Sequence, residues 1–423
     1  MANPNSILKQ VLEKVKPEKE ELELITGFLD KFLKEIEKRV KALKIDAEIF
    51  VGGSFAKDTV IKKDHYDVDV FVRFDKKHKD ISTLTQRILK GIDSVSLVHG
   101  SRDYFRVEIN PNFYIELIPV LKVAKPEQAE NITDLSYSHV KYINKKVKTE
   151  KLRDEIRLAK AFCYANHCYG AESYIRGFSG YGLELLVSYY GSFLKFIKET
   201  SKIQDKIVID IERQHKNKSS IMMDLNSSKL QSPIILIDPT YKQRNVLAAL
   251  SEETLKKFRK EAITFLKKPS IKSFEVQKKD INKIKKDSEK KGFDFILLEA
   301  STNRQEGDIA GSKLLKFYNH LDHEISRFFQ IKDKGFNYNK KKSARFFFAV
   351  KSRGELEIGG PSIKDAENVE KFKEKHKSTF TKKGRIYAKK NIGVNILEFI
   401  NAWKLKNKKQ IKDMAVGEFR VVG

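Results

Sequence analysis

Cysteine, tryptophan and proline are scarce: the 423 residues contain 2, 1 and 9 of them respectively. Both cysteines, Cys163 and Cys168, fall in AKAFCYANHCYG, a helical stretch on which they face poorly for a disulfide. Even with His167 they fall short of the four ligands of a structural zinc site. A disulfide-stapled scaffold and a zinc module are excluded, and two buried thiols in a reducing compartment are expected. No apolar run approaches the ~20 residues that a membrane span needs. The opening MANPNSILKQVLEKVKPEKEELEL is charged and helical in texture, unlike a secretory leader. These absences predict a soluble, cytoplasmic protein with no membrane partner. Acids are also in deficit, 57 Asp and Glu against 84 Lys and Arg, for a net charge of +27. So large a surplus points to a polyanionic partner, nucleic acid first.

What is present suffices for two or three domains with proper cores, since hydrophobic residues make up 40% of the chain. The apolar stripe Leu8, Val11, Leu12, Val15 predicts a first helix, and Pro17 opens a longer one carrying Leu22 to Val40. Strands are expected at 47–51, 67–74, 95–98, 104–109 and 113–121, with a helix over 82–91. Asn110-Pro111-Asn112 turns the chain between the last two strands. From about residue 136 the texture becomes helical. EKLRDEIRLAKAFCYANHCYG reads as one amphipathic helix ending at Gly170, and GYGLELLVSYYGSFLKFIKET as a second. PIILIDPT then reads as a strand, and Ser251 caps a further helix. The last part mixes strands such as FDFILLEAS and SARFFFAVKS with a helix in SKLLKFYNHLDHEISRFFQ and lysine-rich stretches. The expected class is α+β, with a mixed-sheet domain at 1–135, a helical central domain at 136–275 and an α+β tail at 276–423.

The chemistry concentrates in GGSFAKDTVIKKDHYDVDVFV. Residues two apart on a strand share a face at ~6–7 Å, so Asp67 and Asp69 point one way while Val68, Val70 and Val72 fill the core. Two carboxylates so placed raise each other's pKa unless a cation lies between them. Glu116, in NFYIELIPVLK, is a third acid on an apolar strand. Three acids on neighbouring strands suit two Mg²⁺ ions about 3.5–4 Å apart, the arrangement of nucleotidyl transfer. Ahead of them, Gly53 and Ser54 lie at an expected strand-to-helix turn whose free N–H groups can hold a triphosphate, with Lys57 one turn on.

These features, in this order, resemble the nucleotidyltransferase signature of the DNA polymerase β-like superfamily. YGAESYIRGFSGYGLELLVSYYGSFLKFI and DPTYKQRNVLAALSEETLKKF narrow the likeness to the archaeal-type (class I) CCA-adding enzymes. The resemblance runs from roughly residue 20 to 275 and continues more faintly through the tail. It implies a nucleotidyltransferase head, a helical central domain and an RNA-binding tail, adding CCA to tRNA 3′ ends from CTP and ATP without a template. It further implies Mg²⁺ on Asp67, Asp69 and Glu116. Gly53, Ser54 and Lys57 would hold the triphosphate, Lys57 standing where the family usually has Arg. Ser136 and His139 would lie against the nucleotide, His139 on its phosphates together with Lys160 and Tyr169, and Arg244 would help to read the base edge. The tail would track the acceptor and TΨC arms, and the chain would pair with itself through that tail. Two departures stand out. The third acid is normally Asp, one methylene shorter than Glu116, and Arg102-Asp103-Tyr104 replaces a customary His-Pro-Tyr.

From residue type alone His139, Lys160, Tyr169 and Arg244 have bland alternatives: a cap or packing role, a solvated lysine, a core aromatic, a partner for Asp238. Two rival functions share the Gly-Ser and paired-Asp features. One is a poly(A) polymerase or oligoadenylate synthase, the other a non-catalytic RNA-binding descendant.

Overall fold

The computed structural model describes residues 3–63, 65–100, 102–277, 280–376, 378–391 and 393–422. It divides into two compact units, Met1–Gln277 and Lys278–Gly423. The segments expected as separate head and central domains both lie in the first.

That unit begins with helices α1 (Pro4–Val15) and α2 (Lys19–Ala42). Helix α2 buries Ile25, Leu29, Phe32, Ile36 and Val40, one stripe at helical spacing, against a five-stranded sheet. The strands are β1 (Ala47–Val51), β2 (Tyr66–Phe74), β3 (Val95–Val98), β4 (Tyr104–Asn110) and β5 (Phe113–Leu121), with α3 (Ile81–Leu89) after β2. Their order is β1-β2-β5-β4-β3, and only β2 and β5 run parallel. Val68, Val70, Val72 and Phe74 project into the core with Ile115 and Leu117, which leaves the other face of β2 and β5 to their acids.

The remainder of the unit is mainly helical: α4 (Ser136–Lys146), α5 (Glu150–Ala165), α6 (Gly180–Tyr190), α7 (Phe193–Ser201), α8 (Lys218–Asp224) and α9 (Glu252–Lys267). A small sheet, β6 (Ile207–Ile209), β7 (Ile234–Asp238) and β8 (Tyr241–Asn245), lies among them. Their core is a nest of rings in which Phe162 meets Phe193, Phe258 and Phe274 at 5.7, 5.7 and 5.5 Å between centroids. Ser251 caps α9 by accepting from the Thr254 N–H.

Four expectations are corrected. Helix α1 packs into the helical core through Leu8 and Val11, not into the head to which its sequence position assigned it. Helix α5 ends at Ala165 rather than Gly170, because the chain turns left-handed at His167 (φ 52°). The expected single helix over 180–200 is two, broken where Gly191 adopts φ 82° and Ser192 caps the next helix. Residues after β1 form a turn rather than a helix, returning through Asp58 at φ 49°.

The second unit opens with α10 (Ile281–Lys290). Its main sheet has the order β10-β11-β9-β15, from β9 (Asp294–Ser301), β10 (Phe329–Tyr338), β11 (Ser343–Ser352) and β15 (Glu418–Val421). Helix α11 (Asp308–Ser326) covers it by placing Phe317 and Tyr318 on Phe346. A second sheet, β12-β14-β13, comprises β12 (Glu355–Ser362), β13 (Thr379–Lys382) and β14 (Arg385–Asn391), with α12 (Ala366–Lys375) between β12 and β13. Helices α13 (Ile396–Lys406) and α14 (Lys408–Asp413) follow, Trp403 of α13 packing near Phe317. Among the described residues no helix is long and apolar enough to cross a membrane. Cys163 and Cys168 are buried free thiols, as expected.

Candidate active site

The parallel register of β2 and β5 sets Asp69 directly beside Glu116, with Asp67 beside Tyr114. The turn after β1 closes over them. Gly52 N–H donates to the Asp69 carbonyl at 2.8 Å, and Gly53 sits at φ 59° with its Cα hydrogen turned to the Asp69 carboxylate. A Cβ on Gly53 would fall 1.7 Å from Asp69 Oδ2, so glycine is required for both conformation and space. Gly53→Ala is accordingly expected to push Asp69 out of place. It should cost about 1–3 kcal/mol in urea unfolding and lower the nucleotidyl-transfer rate that the sequence resemblance implies at least ~100-fold. An alanine variant of ordinary activity would show the close approach to be dispensable.

Burial pushes the Asp69 carboxyl up to about 7, with help from the charges of Glu116 and Asp67. Burial also raises Glu116, although Arg106 opposes it. Two lysine or arginine partners already attend the acids. Lys63 Nζ lies 3.3 Å from Asp67 Oδ1, and Arg106 Nη2 donates to Glu116 Oε1 at 3.1 Å. Arg106 faces Glu116 across the β4–β5 ladder and lies over the Tyr114 ring at 4.4 Å. Among the described residues no three His, Cys, Asp or Glu side chains already converge as metal ligands. The oxygen donors themselves, two half-buried carboxyls whose ionisation is disfavoured beside a third, fit a hard divalent cation.

A second cluster is built on a residue that motif reading passed over. Glu184, on α6, is 1% exposed, and its Oε2 accepts from Lys57 Nζ at 2.6 Å. Its Oε1 accepts from Lys160 Nζ at 2.8 Å and from Thr59 Oγ1 at 2.9 Å. Lys160 Nζ also donates to the Thr59 carbonyl at 3.1 Å. Burial lowers Lys160 to about 8, against the support of Glu184. Glu184 itself is held down at about 2: burial would raise it, and the two lysines prevail. Lys160 is therefore no solvated helix lysine, and Lys57 turns to Glu184 from the turn it was expected to serve. Arg157 of α5 anchors the same connection, donating to the Asp58 and Val60 carbonyls at 2.8 and 3.2 Å.

Four of the predicted residues, Ser54, Asp67, Lys160 and Tyr169, line one small recess with Thr59 and Lys63. The Tyr169 hydroxyl abuts Gly180, and burial raises its pKa. A third cluster gathers on Asp238 of β7, whose side chain is fully buried. Its Oδ2 receives Arg244 Nη1 at 2.7 Å and lies 3.1 Å from His139 Nε2. Its Oδ1 accepts from Tyr181 Oη at 3.1 Å and from the Thr240 N–H and hydroxyl at 2.8 Å each. His139 stacks on Tyr181 at 4.2 Å, and Lys57 Nζ sits 5.8 Å from the same ring, which joins this cluster to the lysine pair. Burial lowers the His139 pKa, the Asp238 hydrogen bond opposing it. Ser136 is half-buried at the start of α4, one helical turn before His139, and among the described residues its side chain makes no hydrogen bond to the others. A larger cleft of about 750 Å³ between α1, α2 and α5, lined by Lys9, Leu12, Lys16 and Arg157, touches none of the predicted residues.

Sequence reading thus missed Glu184, Tyr181 and Arg106. Glu184 did leave a signal, a lone acid inside the apolar run GLELLV. Arg106 left none, because its partner is set by strand register.

Comparison with known proteins decides the family. Residues 29–156 match the nucleotidyltransferase domain, and residues 154–275 match the second domain of tRNA nucleotidyltransferases. The chain belongs to the tRNA nucleotidyltransferase family. It is 38% identical to a CCA-adding enzyme of Nanoarchaeum equitans over 247 residues, 57% of this chain and 60% of that protein. A CCA-adding enzyme of Methanocaldococcus jannaschii is 29% identical over 90% of this chain and 86% of its own. One from Saccharolobus islandicus is 29% identical over 95% and 96%. The match thus spans about three fifths of the Nanoarchaeum relative and nearly all of the Saccharolobus one. A solved structure of a cytoplasmic RNA terminal U-transferase shares the fold, with a TM-score of 0.50 at 13% identity, covering 65% of this chain and 98% of that one.

Proposed function

We propose that this chain is a template-independent tRNA nucleotidyltransferase that builds the 3′ CCA end from CTP and ATP. The observation that carries the reading is the turn at Gly53 folded onto Asp69, with Ser54, Asp67, Lys160 and Tyr169 around one recess. Ser54 and the N–H groups beside it would receive the triphosphate, flanked by Lys57, Lys160 and Tyr169. Arg244, held by Asp238, would face the base, with His139, on the same carboxylate, toward the phosphates and Ser136 at the edge. Choice between CTP and ATP then rests on hydrogen bonds at the base edge, where an unpaired polar group is penalised. Asp67, Asp69 and, on leaving Arg106, Glu116 would hold Mg²⁺, which supplies Lewis acidity to the attacking 3′-hydroxyl and the departing pyrophosphate. Positioning by the rest of the site supplies the remainder of the rate.

The proposed division of labour is a head over 1–135, a nucleotide-binding middle over 136–275 and a tail over 276–423. The tail would lie along the acceptor and TΨC arms and join two copies of the chain, acting in the cytoplasm by shape and charge.

The test is nucleotide addition to a tRNA lacking its CCA end, with Mg²⁺ and with CTP and ATP separately and together. Addition of C, C and A, lost in Asp69→Ala, is expected. A long A tail would assign the chain to poly(A) polymerases instead. The pairing of Glu116 with Arg106 favours a second reading, a non-catalytic RNA-binding descendant. Binding of tRNA without any addition would be its outcome.

A further inference from the structure

We infer that Glu184 is a positioning residue for nucleotide binding, one buried carboxylate that aligns two ammonium groups so that their single uncompensated charge is offered to an anionic phosphate chain. The inference rests on the reading of this recess as a nucleotide site and goes beyond it by naming what tunes its affinity.

The charge count makes the case. Lys57 and Lys160 are 8% and 2% exposed, and both reach the same carboxylate, at 2.6 and 2.8 Å. Among the described residues neither lysine forms an ion pair with a second acid. A purely structural pair would be neutral, because burying an unmatched charge is costly. Here two cations share one anion, and Lys160 lines the recess with Ser54 and Tyr169. The excess charge is therefore available to a ligand with phosphate chemistry.

Geometry adds a second function. Lys57 and Thr59 belong to the connection that carries Gly53 and Ser54, whereas Lys160 and Glu184 belong to α5 and α6. Glu184 accepts from both sides, at Lys57 Nζ and Thr59 Oγ1 from one and at Lys160 Nζ from the other. It fixes where the turn sits relative to the helix lysine. Lys57 has a compact ammonium with no fork to orient itself. A fixed acceptor supplies that orientation.

The test compares wild type, Glu184→Gln and Glu184→Asp for metal-free binding of inorganic tripolyphosphate by calorimetry and for steady-state addition kinetics. Glu184→Gln should weaken tripolyphosphate binding by roughly tenfold or more. It should raise KM for CTP and ATP by the same factor, since the phosphates are common to both, with kcat altered less than about threefold. The alkaline limit of binding should move to lower pH. The groups facing Lys160 are Glu184 of α6, Lys57, Thr59 and Lys63 of the β1–β2 connection, Tyr169, and across the recess Tyr66 and Asp67 of β2. Asp67 is paired with Lys63, so removing Glu184 takes away the one acid among the described residues that bonds Lys160 directly. Glu184→Asp keeps the charge and should recover most of the affinity. Should the glutamine variant fail to fold, Glu184→Asp against wild type still decides, with severalfold weaker binding at an unchanged alkaline limit expected. Equal tripolyphosphate binding in all variants, or loss in kcat alone, would overturn the inference. Wild-type protein that binds neither tripolyphosphate nor nucleotide would overturn the nucleotide reading itself.

Discussion

Asp69→Asn is expected to make the metal-free protein more stable at pH 8 while abolishing nucleotide addition. The sign follows from the carboxyl's position, pushed up to about 7 by burial and by Glu116 and Asp67, against about 3.9 in an unfolded chain. A group whose folded pKa is raised binds its proton more tightly in the native state. Native stability then falls as pH rises from about 4 to 7 and levels off above. At pH 8 the ionised Asp69 costs roughly 2–4 kcal/mol, which an uncharged asparagine of the same shape would not incur. Urea unfolding in EDTA should place the variant above wild type at pH 8 and close to it near pH 4. Circular dichroism is the probe, because the sole tryptophan, Trp403, belongs to the second unit and serves as an internal reference. Millimolar Mg²⁺ should then reverse the order, since a cation that binds only the wild-type carboxylates stabilises the wild type alone. A variant less stable than wild type at pH 8 in EDTA would mean that Lys57 and Lys63 already satisfy the charge, and that the acids await no cation.

Much of this site could be read from residue type and spacing, and what could not be read has a common cause. Asp67, Asp69 and Glu116 stood out because an ionisable side chain on an alternating apolar strand is conspicuous by itself. The strands at 47–51, 95–98 and 113–121 likewise follow from alternation and turn residues alone. Partner choice is different. That Lys57 turns to Glu184, 127 positions away, depends on how α6 packs against the turn, which no local pattern encodes. The same holds for α1, whose stripe announces a helix but not which core receives it. The break at Gly191 was legible in principle, since a glycine followed by serine is a helix stop and a new cap. The apolar run on either side of it masked the signal. Arg244 shows the limit most clearly. Pairing with Asp238 was the bland alternative, and the structure has that pair, yet it sits in contact with His139 and Tyr181 as part of one cluster.

That cluster carries the second large effect. Asp238→Ala should destabilise the first unit by about 3–5 kcal/mol, the cost of leaving a buried cation and several donors without their acceptor. Five donors converge on the two oxygens of a carboxylate with no exposure: Arg244, His139, Tyr181 and both the N–H and hydroxyl of Thr240. Asp238→Asn should fall between, because its oxygen can serve Tyr181 and Thr240 while its amide hydrogens oppose Arg244. The pH signature is the inverse of that at Asp69. Burial alone would raise Asp238, but His139 and Arg244 hold it well below the usual carboxylate range. Its contribution is present in full above the unfolded value of about 3.9 and is lost as pH falls toward the depressed native one. The gap between wild type and Asp238→Ala should therefore be widest near neutrality and close on acidification below about pH 4. Function should fail along a separate axis. With His139 and Arg244 released, nucleotide choice is expected to relax before the rate collapses, so misincorporation of UTP or GTP would rise in Asp238→Asn. A variant that loses stability yet keeps its choice of nucleotide would reduce this cluster to a structural pin, and base recognition would have to be sought on the other side of the recess.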